Sequence, residues 1–168
     1  MNQILNTKSN GMKKNYLPIA INIAGEKILV IGGGQSAWNK IKILKRFDAA
    51  IEVVALEVCE ELRKSGIPYK IKPYEKSDLN GFLMFYSCTN KLDLDAQIAK
   101  DGKEAGVLVN IHDQPGLCQF VSPAIYQDGD MRVAVSSNAT DVFASIRIRN
   151  EIKEFLETKK NRNQNNEY

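Results

Sequence analysis

Apolar residues in this chain fall into short continuous runs separated by stretches of helical period. Lys27-Ile28-Leu29-Val30-Ile31, Ile51 to Ala55, Phe82 to Cys88 and Val107 to Ile111 are such runs. The first is β-branched, and the last two read as buried strands, Phe82 to Cys88 on both faces. Between the first two, residues 35–46 place Ala37, Ile41 and Leu44 on one face of a helix. Residues 94–105 repeat that pattern and meet Gly106, a helix stop. A shorter helix over 59–65 is halted by Gly66 and Pro68, and Tyr69 to Lys72 reads as a weak edge strand. Strands alternating with helices predict an α/β fold: a parallel sheet covered on both sides.

After Asp113 the rhythm changes. Gln114-Pro115-Gly116 is a turn signal. Gln119 to Val121 and Met131 to Ser136 read as strands, the latter entered through Asp128-Gly129-Asp130. An amphipathic helix follows over 141–156, with Ile148, Ile152, Phe155 and Leu156 on one stripe. The predicted organisation is a flexible arm (1–14), a dinucleotide-binding domain (15–112), a small α+β unit (113–156) and a disordered polar tail (157–168). The small unit is too short to bury a core alone, so it must pack on the first domain or on a partner subunit.

The 168 residues are 43% hydrophobic and 26% charged, the balance of a soluble globular protein. Phe82 to Tyr86 is the longest purely apolar run, far below a membrane span, and Met1 to Asn15 lacks an apolar signal region. The net charge of +3 comes from the two polar ends, not the body, which argues against a nucleic-acid partner. Cys59, Cys88 and Cys118 have no short spacing, and His112 is the lone histidine. No metal motif is expected, and unpatterned cysteines fit a reducing cytoplasm.

Gly32-Gly33-Gly34-Gln35-Ser36-Ala37 fits G-x-G-x-x-G/A between a predicted strand and a predicted helix. Gly32 permits the turn, Gly34 lets backbone approach a diphosphate, and Ala37 allows close helix–strand packing. Glu57, just past the second strand, either bonds the ribose, where it repels a 2′-phosphate and favours NAD over NADP, or is a solvated acid at a helix start. Thr89 and Asn90 end the strand before the next helix, where they either touch the cofactor or cap a turn. Asp113 ends the last strand of the first domain, on the same rim as the glycines. It is either a proton acceptor or the start of an Asx turn. His112 beside it either assists proton transfer or fills the rim. Ser136-Ser137-Asn138 leads into the last helix as an anion-receptive corner, an N-cap, or both. Asn138 or Thr140 is the expected cap. Arg132, Arg147, Arg149 and Lys153 are candidate cations for a polycarboxylate.

Together, Tyr16-Leu17-Pro18-Ile19, the Gly32-Gly33-Gly34 turn, and Ala37 with Lys40 resemble the precorrin-2 dehydrogenase family. So do Val109-Asn110, Asp113, Cys118-Gln119-Phe120 to Pro123-Ala124, and Val133-Ala134-Val135-Ser136-Ser137. That family includes the N-terminal part of siroheme synthase and stand-alone bacterial enzymes. The resemblance implies a Rossmann domain followed by a small dimerisation unit. It implies a homodimer that oxidises precorrin-2, a tetrapyrrole, to sirohydrochlorin with NAD, in some members with iron insertion as well. On these positions it implies Asp113 as the essential carboxylate. It implies Gln35, Ser36, Leu56 and Glu57 as NAD contacts, and Ser137 as a serine beside the substrate. The expected substrate-side set is His112, Ser136, Ser137 and Asn138. Asn138-Ala139 stands where the family carries two glycines, which predicts a left-handed backbone at Asn138. Alternatives within the same pocket are sirohydrochlorin ferrochelatase activity, or NAD and tetrapyrrole binding without catalysis.

Overall fold

The computed structural model describes residues 14–165. The 1–14 arm expected from sequence therefore lies outside the described residues except at Lys14. Five parallel strands form one sheet in the order β3-β2-β1-β4-β5: β1 Lys27–Ile31, β2 Ala50–Ala55, β3 Tyr69–Ile71, β4 Met84–Ser87 and β5 Leu108–Ile111. The chain winds outward from β1 to β3, then returns to lay β4 on the other side of β1. Ligand crevices form at such a reversal, at the carboxyl ends of the strands.

Alternation along β1 splits the core into two layers. Ile28 and Val30 pack with Ala37, Ile41 and Leu44 of α1 (Gln35–Leu44) and with Leu62 of the short helix α2 (Glu60–Arg63). Leu29 and Ile31 pack on the opposite face with Phe85, Val109, and Ile98 and Ala99 of α3 (Leu92–Ala105). Gly102 lets α3 sit close: a Cβ there would stand 2.3 Å from the Phe85 ring. Gly106 ends α3 in the left-handed region, φ 70°.

Two expectations need correction. Residues 119–121 do not form a strand. Gln119 and Phe120 donate their backbone N–H groups to Val109 O, while Gln119 Oε1 accepts from Val109 N and Cys118 Sγ accepts from Ile111 N. The segment caps the open edge of β5 with irregular backbone, one way of covering a sheet edge. The antiparallel hairpin instead pairs β6 (Ala124–Asp128) with β7 (Met131–Val135). The second correction is helix α4, which runs from Val142 to Asn165, so 157–165 of the expected disordered tail are helical. Pairs four apart, Arg147–Glu151 and Lys153–Glu157, line its surface, and Lys160 Nζ bonds Asp128 Oδ1 at 3.0 Å, tying the last turns to the hairpin.

Candidate functional site

Two clefts open on the rim where the strands end. The smaller, about 280 Å³, is lined by Gly32, Gly33 and Gly34, by Leu56 and Glu57 after β2, and by Thr89 and Asn90 after β4. The glycines have separable physical reasons. Gly32 has φ 107°, and a Cβ would lie 2.6 Å from the Cys88 carbonyl oxygen. At Gly33 a Cβ would meet the Glu57 carbonyl at 2.1 Å, and Gly33 O accepts from Cys59 N at 2.8 Å. Gly34 differs: a Cβ would touch nothing within 4 Å. Its bareness keeps room open at the first turn of α1, where Gln35 and Ser36 stand and N–H groups lack intrahelical partners. Such a vacancy beside a positive helix end fits a diphosphate. Gln35 and Ser36 flank the cleft without lining it, and Ala37 is fully buried against the sheet.

Lys72 also lines this cleft, brought in by β3. Linear spacing from Glu57 concealed it. Its Nζ lies 3.0 Å from both Glu75 Oε2 and Asp78 Oδ2. Hydrogen bonds to those acids, Asp78 first, hold the ammonium above the usual lysine range.

The larger cleft, about 740 Å³, lies between the end of β5, the β6–β7 hairpin and the start of α4. Asp113, His112, Ser136 and Ser137 line it, as do the cations Lys40, Arg46 and Arg149. Of the four cations expected from sequence, only Arg149 is there. The two clefts open on one rim but share no lining residue, so Asp113 and the glycines, expected on the same rim, line separate clefts. Sheet order decides this: β1 and β2 end at the glycines, β5 ends at Asp113, and β4 lies between.

Asp113 sits in the left-handed region, φ 58°, with its side chain 85% exposed. Among the described residues its carboxylate accepts no hydrogen bond. His112 Nδ1 lies 3.4 Å from Asp113 Oδ1, and no Asx turn uses the carboxylate. It is an open acid on left-handed backbone at the lining of the larger cleft.

The serine corner is organised differently from the expectation. Ser137 Oγ donates to Asp141 O at 2.7 Å and accepts from Asp141 N at 2.9 Å. Asp141 Oδ1 accepts from Ala144 N at 2.8 Å, so Asp141 caps α4, not Asn138 or Thr140. Asn138 is left-handed, φ 58°, as expected, but it does not line the cleft. Its amide donates to Lys14 O and accepts from Tyr16 N, binding the N-terminal segment, while Tyr16 OH donates to Pro115 O at 3.0 Å.

One residue that sequence reasoning missed connects the two clefts. Asp95, 1% exposed, accepts from Ser87 Oγ and Thr89 Oγ1 on one oxygen and from Gln114 Nε2 on the other. Thr89 lines the small cleft, and Gln114 lines the large one beside Asp113. Nothing in the linear pattern marks Asp95, since acids in a helix's first turn are common.

A glycine cradle at the reversal of a parallel sheet defines a dinucleotide-binding α/β protein. The family model described as "Putative NAD(P)-binding" matches residues 19–124, and the chain belongs to that family. The chain is similar to proteins named siroheme synthase. It is 39% identical over 130 residues to that of Buchnera aphidicola subsp. Acyrthosiphon pisum (strain APS), covering 75% of this chain and 28% of the relative. It is 35% identical over 126 residues to that of Pseudomonas fluorescens (strain SBW25), covering 73% and 27%. The chain thus spans little more than a quarter of the length of those relatives. A solved structure titled "SirC, precorrin-2 dehydrogenase" superposes with a TM-score of 0.67 at 25% identity, covering 83% of this chain and 70% of that one.

Proposed function

We propose that this protein oxidises precorrin-2 to sirohydrochlorin with NAD. The tetrapyrrole would occupy the larger cleft and the dinucleotide the glycine cleft. When bound at the glycine cleft, NAD would supply the hydride acceptor. Asp113 takes the proton that leaves the macrocycle as conjugation extends and, being exposed, returns it to water. Lys40, Arg46 and Arg149 offset substrate carboxylates. Glu57 bonds a ribose hydroxyl and disfavours a 2′-phosphate; Lys72 does not reverse that preference, because Glu75 and Asp78 already neutralise it. The observation that carries the reading is the open carboxylate of Asp113 on the rim shared with the glycine cradle. Its support comes from the likeness to a precorrin-2 dehydrogenase and to siroheme synthases.

The same reading makes residues 113–156 a dimerisation and substrate-covering unit and the protein a homodimer. Phe143 is 85% exposed, and Met131, Val142 and Phe155 are also bare. An isolated two-stranded hairpin is marginal in water and leaves unpaired edges. Its place of action is the cytoplasm, consistent with Cys88 and Cys118 being buried free thiols. Among the described residues no helix is long and apolar enough to cross a membrane.

Anaerobic incubation with precorrin-2 and NAD tests the activity. NADH absorbance should rise, and Asp113→Asn should abolish the rise while NAD still binds. Full turnover by the variant would overturn the role of Asp113. Light scattering at micromolar concentration should give twice the chain mass of 18.8 kDa; a monomer would remove the dimer.

A further inference from the structure

Lys40 has an unusual position for a lysine. It lies on α1 three residues after the fully buried Ala37 and one before the fully buried Ile41. Its stem therefore runs along the helix–sheet seam, and its head reaches the larger cleft. Nζ stands 4.7 Å from the centre of the Tyr86 ring and 3.2 Å from Ser122 Oγ. The Tyr86 ring is itself held edge-on by Phe120, centroids 5.3 Å apart. Among the described residues no carboxylate comes within 4 Å of Nζ. Burial pushes the ammonium below the usual lysine range, against the opposing pull of negative groups that include Asp113. A partly desolvated cation without a counter-ion is costly, and groups perturbed in this way cluster at functional sites.

We infer that Lys40, with the Ser122 hydroxyl, seats one carboxylate of an anionic ligand at the floor of the larger cleft. This rests on the tetrapyrrole reading above and deepens it. A carboxylate anchored there fixes which edge of the macrocycle faces Asp113, so Lys40 acts as a specificity-determining residue. The face of Tyr86 supports the ammonium while the cleft is empty, and the incoming carboxylate replaces water on its open side. Arg46 and Arg149 line the same cleft, but Arg149 already donates to Ile125 O and Asn150 Oδ1. Lys40 differs from both in having the Ser122 hydroxyl beside its ammonium.

The test uses the full chain and sirohydrochlorin, titrated by its absorbance, with NAD affinity and thermal unfolding measured in parallel. Lys40→Met should weaken sirohydrochlorin at least tenfold and leave NAD affinity within twofold. It should also hold or raise the melting temperature, because a partly buried charge without a counter-ion has been removed. Lys40→Arg should recover most of the affinity. Unchanged sirohydrochlorin affinity in Lys40→Met would overturn the inference and leave the dehydrogenase reading standing. So would a lowered melting temperature with NAD binding lost in parallel, the mark of a purely structural lysine. A wild-type chain that binds no sirohydrochlorin would remove both.

Discussion

Ser87 Oγ donates to Asp95 Oδ1 at 2.6 Å in a corner that water does not reach. Thr89 and Gln114 complete the carboxylate's partners, so one buried acid pins the turns after β4 and β5 together. Asp95→Ala leaves three donors without their acceptor, one of them on the buried Ser87. It should cost about 2–4 kcal/mol in urea-unfolding free energy. Asp95→Asn keeps an acceptor for Ser87 and Thr89, and Gln114 can present its carbonyl to the new amide. Its cost should be no more than about 1 kcal/mol. Equal losses in the two variants would mean that charge, not hydrogen-bond satisfaction, holds the corner.

The neighbouring glycines should separate folding from binding. Gly33→Ala drives a methyl into the Glu57 carbonyl at 2.1 Å and should destabilise the fold by about 2–4 kcal/mol. Gly34→Ala meets no protein atom, at φ −81°. Its stability should stay within about 1 kcal/mol of wild type. NAD affinity, measured by calorimetry, should nevertheless fall about tenfold or more, roughly 1.4 kcal/mol, because the methyl enters the room left for the diphosphate. Wild-type affinity in Gly34→Ala would place the dinucleotide elsewhere.

Alkaline pH should unfold the protein partly through Cys88. Burial raises its thiol to about 11, from an unfolded value of 9.0. The raised folded value means the contribution is whole below pH 9 and is lost as pH climbs to about 11, because the unfolded thiol ionises first. Tyr74 and Tyr86, also raised by burial, act in the same sense at higher pH, and Lys40 acts against them. Comparison with Cys88→Ala isolates the thiol. The stability difference between the two proteins should shrink by roughly 2 kcal/mol between pH 9 and 11. A constant difference would show that Cys88 ionises as freely folded as unfolded.

Ala139 stands at φ 62°, directly after left-handed Asn138. A Cβ disfavours that region by roughly 1–2 kcal/mol, partly offset by glycine's greater unfolded-state entropy. Ala139→Gly should therefore stabilise by about 0.5–1 kcal/mol and raise the melting temperature by about 2 °C. A lower melting temperature would mean that the methyl contributes packing that outweighs the strain.

The chain's linear pattern determined the parallel sheet. Strands buried on both faces read as near-continuous apolar runs, and β1, β2, β4 and β5 are legible for that reason although Lys27, Glu52, Ser87 and Asn110 interrupt them. The glycine turn was legible because its spacing is local, and Asp113 because it directly ends a strand. Tertiary structure alone decided what depends on distant partners. Residues 119–121 carry strand-like composition, yet their hydrogen bonds go to the edge of β5 as irregular backbone. The polar end of α4 reads as disordered until Lys160 meets Asp128 across the hairpin. Lys72 enters the cofactor cleft only because β3 pairs with β2. Asp95 and Lys40 look like ordinary charged residues on helices; the burial of Asp95 and the partial burial of Lys40, and hence the energetic weight of their charges, exist only once sheet and helices close around them. Periodicity records which face of an element avoids water, but the environment of a single charge is set by atoms far away in the chain.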